Sequence, residues 1–390
     1  MRRFILATAI CLTVLSSVSI LLARWTGRHF DLSPPMLIYP RVGVGIVVYE
    51  QRLESSHVIF PIPFALDIDF YWSPDRRSVL QVELDTQSPT EENAYIFTLY
   101  PDWYADPITI TGRFNGYSTP RWSPDGQTVI MPACPQLGTG CGFFDFYRIA
   151  RDNPQLEEIP YPELASIPDD WQWYDNHTLI IVDEREVVLL DLNTGESETL
   201  VSNLPIQLRG IHWTDDFSRM SYFVNDGNNF CLRVLIFAEG DSNEVVCGGL
   251  NRNHPVGWLD DGETLYYVRG DDDEIRLYDS VARVDQSATD PPTFLDWAFD
   301  LLYPLPQTPY LVHHATFNRQ VIELINTETR QIEQVAFDVR GYSDADFVPS
   351  PDGSLIALRL RERGLLGLIR LDEVEAHWIE SVVCCVMVWD

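Results

Sequence analysis

One phrase recurs along this chain: an aromatic residue, a turn of Ser, Pro, Asp and Gly, then an apolar strand. Its clearest copies are Trp72-Ser73-Pro74-Asp75 and Trp122-Ser123-Pro124-Asp125-Gly126. Pro349-Ser350-Pro351-Asp352-Gly353 lacks the Trp. Trp173-Tyr174-Asp175-Asn176, Trp213-Thr214-Asp215-Asp216 and Trp258-Leu259-Asp260-Asp261-Gly262 are weaker, and a degraded copy begins at Tyr303-Pro304. Successive copies lie 40 to 51 residues apart, about 46 on average. A fixed period of that length marks one supersecondary unit that buries its faces only against its neighbours.

The turn has a readable mechanism. Pro presets φ for the first corner, Asp suits the second, and Gly takes the left-handed position after it. Asn176 is expected to replace Gly in its copy, since Asn tolerates positive φ. Such a turn joins antiparallel strands. The strands that follow are apolar, as in Thr178-Leu179-Ile180-Ile181-Val182 and Thr264-Leu265-Tyr266-Tyr267-Val268. A third strand, a turn such as Asn193-Thr194-Gly195 and a fourth strand complete each unit. Four short strands per 46 residues is the blade of a β-propeller. The expected fold is therefore all-β, a propeller of four-stranded blades. Seven copies run from about residue 66 to 380. Three apolar runs before them (35–39, 45–49 and 56–60) and one after (382–390) would make an eighth blade shared by both ends of the chain. Eight blades are expected, with seven as the alternative.

Residues 1–30 have a different composition. Arg2 and Arg3 precede the uncharged run Phe4 to Ala23, and Arg24 and Arg28 follow. Twenty helical residues span about 30 Å, the thickness of a bilayer core. The segment is read as a signal anchor or transmembrane helix, crossing the membrane through residues 4–23. A cleaved signal peptide and a buried helix of the main fold are the alternatives. Residues 31–35 form a linker, and 36–390 the propeller domain, held outside the cytoplasm or, after cleavage, secreted or periplasmic.

The chain carries 58 acidic residues against 27 basic ones, a net charge of −31, and every basic residue is Arg. Chemistry that needs a lysine is excluded, including a P-loop clamp and a Schiff base. The acidity argues against a nucleic-acid partner, whose affinity comes largely from phosphate neutralisation.

The Trp-Ser-Pro-Asp-Gly copies resemble the WD40-like "PD40" repeat of TolB-type periplasmic propellers. Similar repeats occur in the propellers of prolyl-oligopeptidase and dipeptidyl-peptidase-IV-like enzymes. The turn Val224-Asn225-Asp226-Gly227-Asn228 looks like the second hairpin of that repeat, and Asp191-Leu192-Asn193-Thr194-Gly195 like the third. The resemblance implies a propeller, often exported, and no activity. The peptidases' nucleophile motif Gly-x-Ser-x-Gly does not occur.

Seven Cys are present, Cys11 in the apolar run and six beyond it. In an exported domain they suggest disulfides. Cys231 and Cys247 sit symmetrically about Glu239-Gly240 and would face each other across a hairpin. Cys134 and Cys141 flank a second hairpin tip. Buried free thiols are the alternative for both pairs. Cys384 and Cys385 read as packing residues. No spacing points to zinc.

The remaining candidates read as structure first. Asp271-Asp272-Asp273-Glu274 and Asn225-Asp226-Gly227-Asn228-Asn229 are solvated turns before they are calcium loops. Of His313 and His314, one faces the core and one does not. His212 is expected to pack between blades. Asn176-His177-Thr178 is a turn before it is a glycan acceptor. Each recurring Trp is expected to wedge between blades. No catalytic residue, metal or cofactor is assigned. The function expected is a non-catalytic extracytoplasmic scaffold that holds a protein or envelope ligand on its loop faces or central channel. A propeller-type metal-dependent lyase or lactonase, and the ectodomain of a sensor complex, are the alternatives.

Overall fold

The computed structural model describes residues 36–389 apart from a set of stretches, the longest being 85–94, 135–144, 160–169, 291–300 and 337–344. Residues 1–35, and with them the expected anchor and linker, lie outside the described residues. Among the described residues no helix is long and apolar enough to cross a membrane. The described chain is strand and turn throughout, in eight antiparallel sheets.

Each of seven sheets is a meander built from consecutive strands. Blade 3 is typical, running Asp170–Trp173, Thr178–Asp183, Glu186–Asp191 and Ser197–Val201. First strands of neighbouring sheets touch at several places around the ring, as Arg209–Trp213 touches Val256–Trp258, so the first strands line its inner side. The eighth blade takes Met36–Arg41, Gly45–Glu50 and Ser55–Phe60 from one end of the sequence and Val388–Trp389 from the other. Leu37 pairs with Trp389, and Ile38 with Val388. The ring has eight blades, and the two ends of the chain pair with each other within the eighth. Blade 2 departs from four strands. Its inner edge is in two pieces, Gly116–Tyr117 and Arg121–Trp122, both paired to Thr128–Cys134.

Apolar side chains leave both faces of each sheet, so the second strands read as unbroken apolar runs. Leu179, Ile180, Ile181 and Val182 are all buried. The core is accordingly a series of seams between blades. Leu80, Phe97 and Leu99 of blade 1 meet Trp122, Met131 and Tyr147 of blade 2. Leu37 and Tyr39 meet Leu355 and Leu368 across the closing seam.

The first hairpins of blades 1, 2, 4 and 7 are held by the same small network. Ser73 Oγ donates to Asp75 Oδ1 at 2.5 Å and accepts from the Ser78 amide at 2.9 Å. Ser123 with Asp125, Thr214 with Asp216 and Ser350 with Asp352 repeat the side-chain bond at 2.6–2.8 Å. The left-handed position falls at Arg76, Gly126, Phe217, Gly262 and Gly353, and one residue earlier in blade 6, at Gln307. Asn176 does not adopt it. In blade 3 Trp173 pairs with Leu179, leaving five residues between them, whereas Trp72 and Val79 enclose six. The shorter hairpin turns without a left-handed residue. The Asn176 side chain instead accepts the Asp125 amide of blade 2 at 3.0 Å.

These networks set a pH dependence. The Ser350 hydroxyl holds the Asp352 carboxyl below its ordinary value, against a smaller push from burial. At Asp75 burial pushes up, and the Ser73 hydroxyl, Arg151 and the Arg77 amide together outweigh it. A depressed carboxyl contributes its stability in full above the unfolded value of about 3.9 and loses it as pH falls through the folded value. Urea midpoints should therefore drop as pH falls from 5 to 2.5. Ser350→Ala should flatten that drop, and equal slopes in the variant and the parent would contradict the account.

Cys231 and Cys247 stand directly opposite on the third and fourth strands of blade 4 and form a disulfide. They are 16 residues apart, so the bond should stabilise the protein by about 3 kcal/mol on the chain-entropy model. A phosphine reductant should lower the urea midpoint accordingly, and an unmoved midpoint would show that the bond adds nothing. Cys134 is buried at the end of its strand, while Cys141, Cys384 and Cys385 lie outside the described residues. The run 271–273 and His314's side chain are likewise outside them. His313 is buried and bonds the facing Glu323 through Nδ1 at 2.9 Å.

Candidate functional site: a cavity on the inner strands

The recurring tryptophans end the inner strands and tie each blade to the one before it. Trp122 Nε1 donates to the Tyr71 carbonyl at 2.8 Å, Trp173 Nε1 to that of Arg121 at 2.9 Å, and Trp258 Nε1 to that of His212 at 3.0 Å. In each case the acceptor is the residue just before the preceding blade's Trp. Trp72, Trp122, Trp173 and Trp258 are 7–9 % exposed. Trp213 is half-buried and breaks the pattern, donating to Asp170 Oδ2 at 2.8 Å. Arg121 of blade 2 holds the other oxygen of Asp170 at 3.2 Å and lies over the Trp171 ring. One carboxylate thus links blades 2, 3 and 4.

Beside this link, the inner strands of blades 3 to 6 enclose a cavity of about 490 Å³, at the end of the ring where the first hairpins lie. That is the size range of small-molecule sites. Trp213, Trp258 and Tyr266 supply aromatic wall, and Gln172 and His212 polar wall. Asp215, Asp216, Asp260 and Asp261 stand on the two hairpins beside it. No Arg is among the lining residues. Burial pushes the His212 imidazole below its ordinary value, and the Asp170 carboxylate opposes this only in part. His212 is therefore neutral at pH 7.

The four carboxylates are not equivalent. Asp216 Oδ1 accepts the Thr214 hydroxyl and the Ser218 amide. Asp261 accepts the Glu263 and Thr264 amides. Both are occupied in holding their own turns. Asp260 takes the Gln307 amide of blade 6. Asp215 is exposed. Among the described residues, the group of three His, Cys, Asp or Glu side chains whose ligand atoms lie within 4.8 Å of one another is Cys231, Glu244 and Cys247, and two of these are joined in the disulfide. No three of the cavity acids bring their carboxylates within 4.8 Å of one another.

Aromatic rings continue outward from the cavity along this face. Trp213 stacks on Phe237 with centroids 6.0 Å apart, and Phe217 bridges Trp213 and Tyr174 at 5.9 and 5.6 Å. Tyr174 is 43 % exposed. Phe217 holds the left-handed position that Gly fills in blades 2, 5 and 7, at a cost of about 1–2 kcal/mol.

Of the residues singled out from the sequence, Trp213, Trp258 and Gly262 come together at the cavity. Trp72, Asp75, Trp122, Asp125, Gly126, Trp173, Asp352 and Gly353 hold the other hairpins and seams. Cys231 and Cys247 lie on outer strands. His212 was expected to pack between blades; its backbone does serve the seam, and its ring joins the cavity wall. Gln172, Asp215, Asp260 and Tyr266 carry no repeat signal of their own.

No family model matches the chain, and no curated protein matches it by sequence. Solved structures do. Dihydro-heme d1 dehydrogenase NirN, determined in complex with DHE, superposes with a TM-score of 0.62 at 15 % identity, over 92 % of this chain and 76 % of that one. Dipeptidyl peptidase 4 of Porphyromonas gingivalis gives 0.58 at 13 % identity, over 89 % of this chain and 58 % of that one. The fold is that of the β-propellers. At these identities the likeness carries no residue roles.

Proposed function

We propose that this propeller is a non-catalytic binding protein of the cell envelope, and that the cavity on blades 3 to 6 is its recognition site. The observation that carries the reading is the state of the cavity acids. Three of the four accept backbone amides, and the group as a whole does not converge on an ion. What remains is a concave, aromatic-walled receptacle with a few polar groups, which is the anatomy of a binding site. The uncharged run 4–23 supports a membrane anchor, and the Cys231–Cys247 disulfide supports an oxidising compartment. The alternative is a propeller enzyme with a divalent metal on the axis.

Metal analysis of the full chain, purified in detergent and dialysed without chelator, separates the two. Binding without catalysis predicts less than one tightly held metal per ten molecules. A stoichiometric metal whose loss abolishes ligand binding would overturn the proposal. Export has its own check. Alkylation of protein denatured straight from the native host should leave Cys231 and Cys247 unmodified, and labelling of both would place the chain in a reducing compartment.

A further inference from the structure

We infer that the cavity takes an organic cation, an alkylammonium or guanidinium group; this rests on the binding reading above and names its ligand class. Three observations on different residues converge. The first is the wall. Trp213 and Trp258 stand in the wall, indole rings attract cations, and no Arg is among the described residues that line the cavity.

The second is the pair Asp215 and Asp260. Both occupy the first corner of the repeat's turn, which is Pro in blades 1, 2, 6 and 7: Pro74, Pro124, Pro306 and Pro351. The two blades whose hairpins border the cavity carry a carboxylate there instead. Asp215 makes none of the turn bonds that occupy Asp216, and Asp260 bonds only the neighbouring hairpin. The turn's geometry does not call for an acid at that corner, since Pro serves it elsewhere.

The third is Tyr266. Its side chain is 6 % exposed and lies against Gly257, where an added Cβ would come 2.5 Å from the hydroxyl oxygen. The hydroxyl therefore occupies space that only a glycine leaves free, and both residues line the cavity. It has no hydrogen-bond partner among the described residues. Unlike the sealed hydroxyls of Tyr222 and Tyr267, that of Tyr266 stays open to a molecule in the cavity. A phenol oxygen accepts an N–H. Carboxylates, aromatic faces and an open acceptor together suit a cation with N–H donors. A bare metal ion would want converging oxygens instead.

The ligand could be a free polyamine or a basic side chain of a peptide, and titration calorimetry on the full chain in 150 mM salt tells them apart. The probes are spermidine, the tripeptide Gly-Arg-Gly, and Gly-citrulline-Gly as the uncharged counterpart. One site is expected, with the citrulline peptide at least tenfold weaker than the arginine peptide. Tighter binding of spermidine or of Gly-Arg-Gly supports the site in either case and identifies the source.

The Asp215→Asn/Asp260→Asn double variant should weaken the cations at least tenfold, and Tyr266→Phe about threefold. Glu196→Gln/Glu198→Gln, which removes two exposed acids from the outer side of blade 3, should change affinity less than twofold. Equal weakening by the two double variants would reduce the effect to the general field of a −31 protein and overturn the inference. So would equal binding of the arginine and citrulline peptides, which would still leave a binding cavity. A stoichiometric metal on the axis would overturn the binding reading itself.

Discussion

Trp122→Ala should lower the unfolding free energy by about 3–5 kcal/mol, the loss expected for truncating a buried Trp. The site makes the loss hard to recover. The ring belongs to the seam with Leu80, Phe97 and Leu99 of blade 1, and its Nε1 holds the Tyr71 carbonyl. Two rigid sheets cannot close on the gap without moving the next seam. Trp122→Phe keeps most of the ring, loses the hydrogen bond, and should cost about 1–3 kcal/mol. Urea denaturation of both variants checks this. A cost below 1 kcal/mol for the alanine variant would mean that the tryptophans do not join the blades.

Gly353→Ala should be nearly as damaging, at about 2–5 kcal/mol. Gly353 has φ +67°, and its added Cβ would fall on the Pro306 carbonyl oxygen of blade 6 and 2.6 Å from Thr308 Cγ2. The backbone strain is about 1–2 kcal/mol, and overpacking against a fixed carbonyl adds about 1–3. Gly195→Ala is the matched control, since Gly195 has φ +74° with nothing within 4 Å. It should show the strain alone. If the two variants lose the same stability, the approach of blade 7 to blade 6 is looser than the structure has it.

Much of this architecture was open to reading because each hairpin is local. The Ser-Pro-Asp-Gly corner, its hydrogen bonds and the aromatic before it lie within six residues, so the physics of one copy identifies the others. The facing cysteines are legible for the same reason, within one hairpin. The cavity is not local. Gln172, His212, Gly257 and Pro304 stand one per blade, each near its own anchor, and meet only when the ring closes.

A signal was present in the differences between copies. Aligned on their anchors, the copies show Asp215 and Asp260 where others have Pro, and Gly257 inside a strand. A lone strand glycine marks a close approach, here of Tyr266. Asn176 shows the converse error. Its chemistry suited a left-handed corner, but its hairpin is one residue short and has no such corner.

The pairing of Leu37 and Ile38 with Val388 and Trp389 joins positions 350 or more apart. During synthesis the first three strands exist long before their fourth partner, with an apolar flank and an unpaired edge exposed to whatever is nearby. Contacts of that range form slowly. Folding should therefore end in a late latching step, and chaperones that shield strand edges would matter most to the oldest part of the nascent chain.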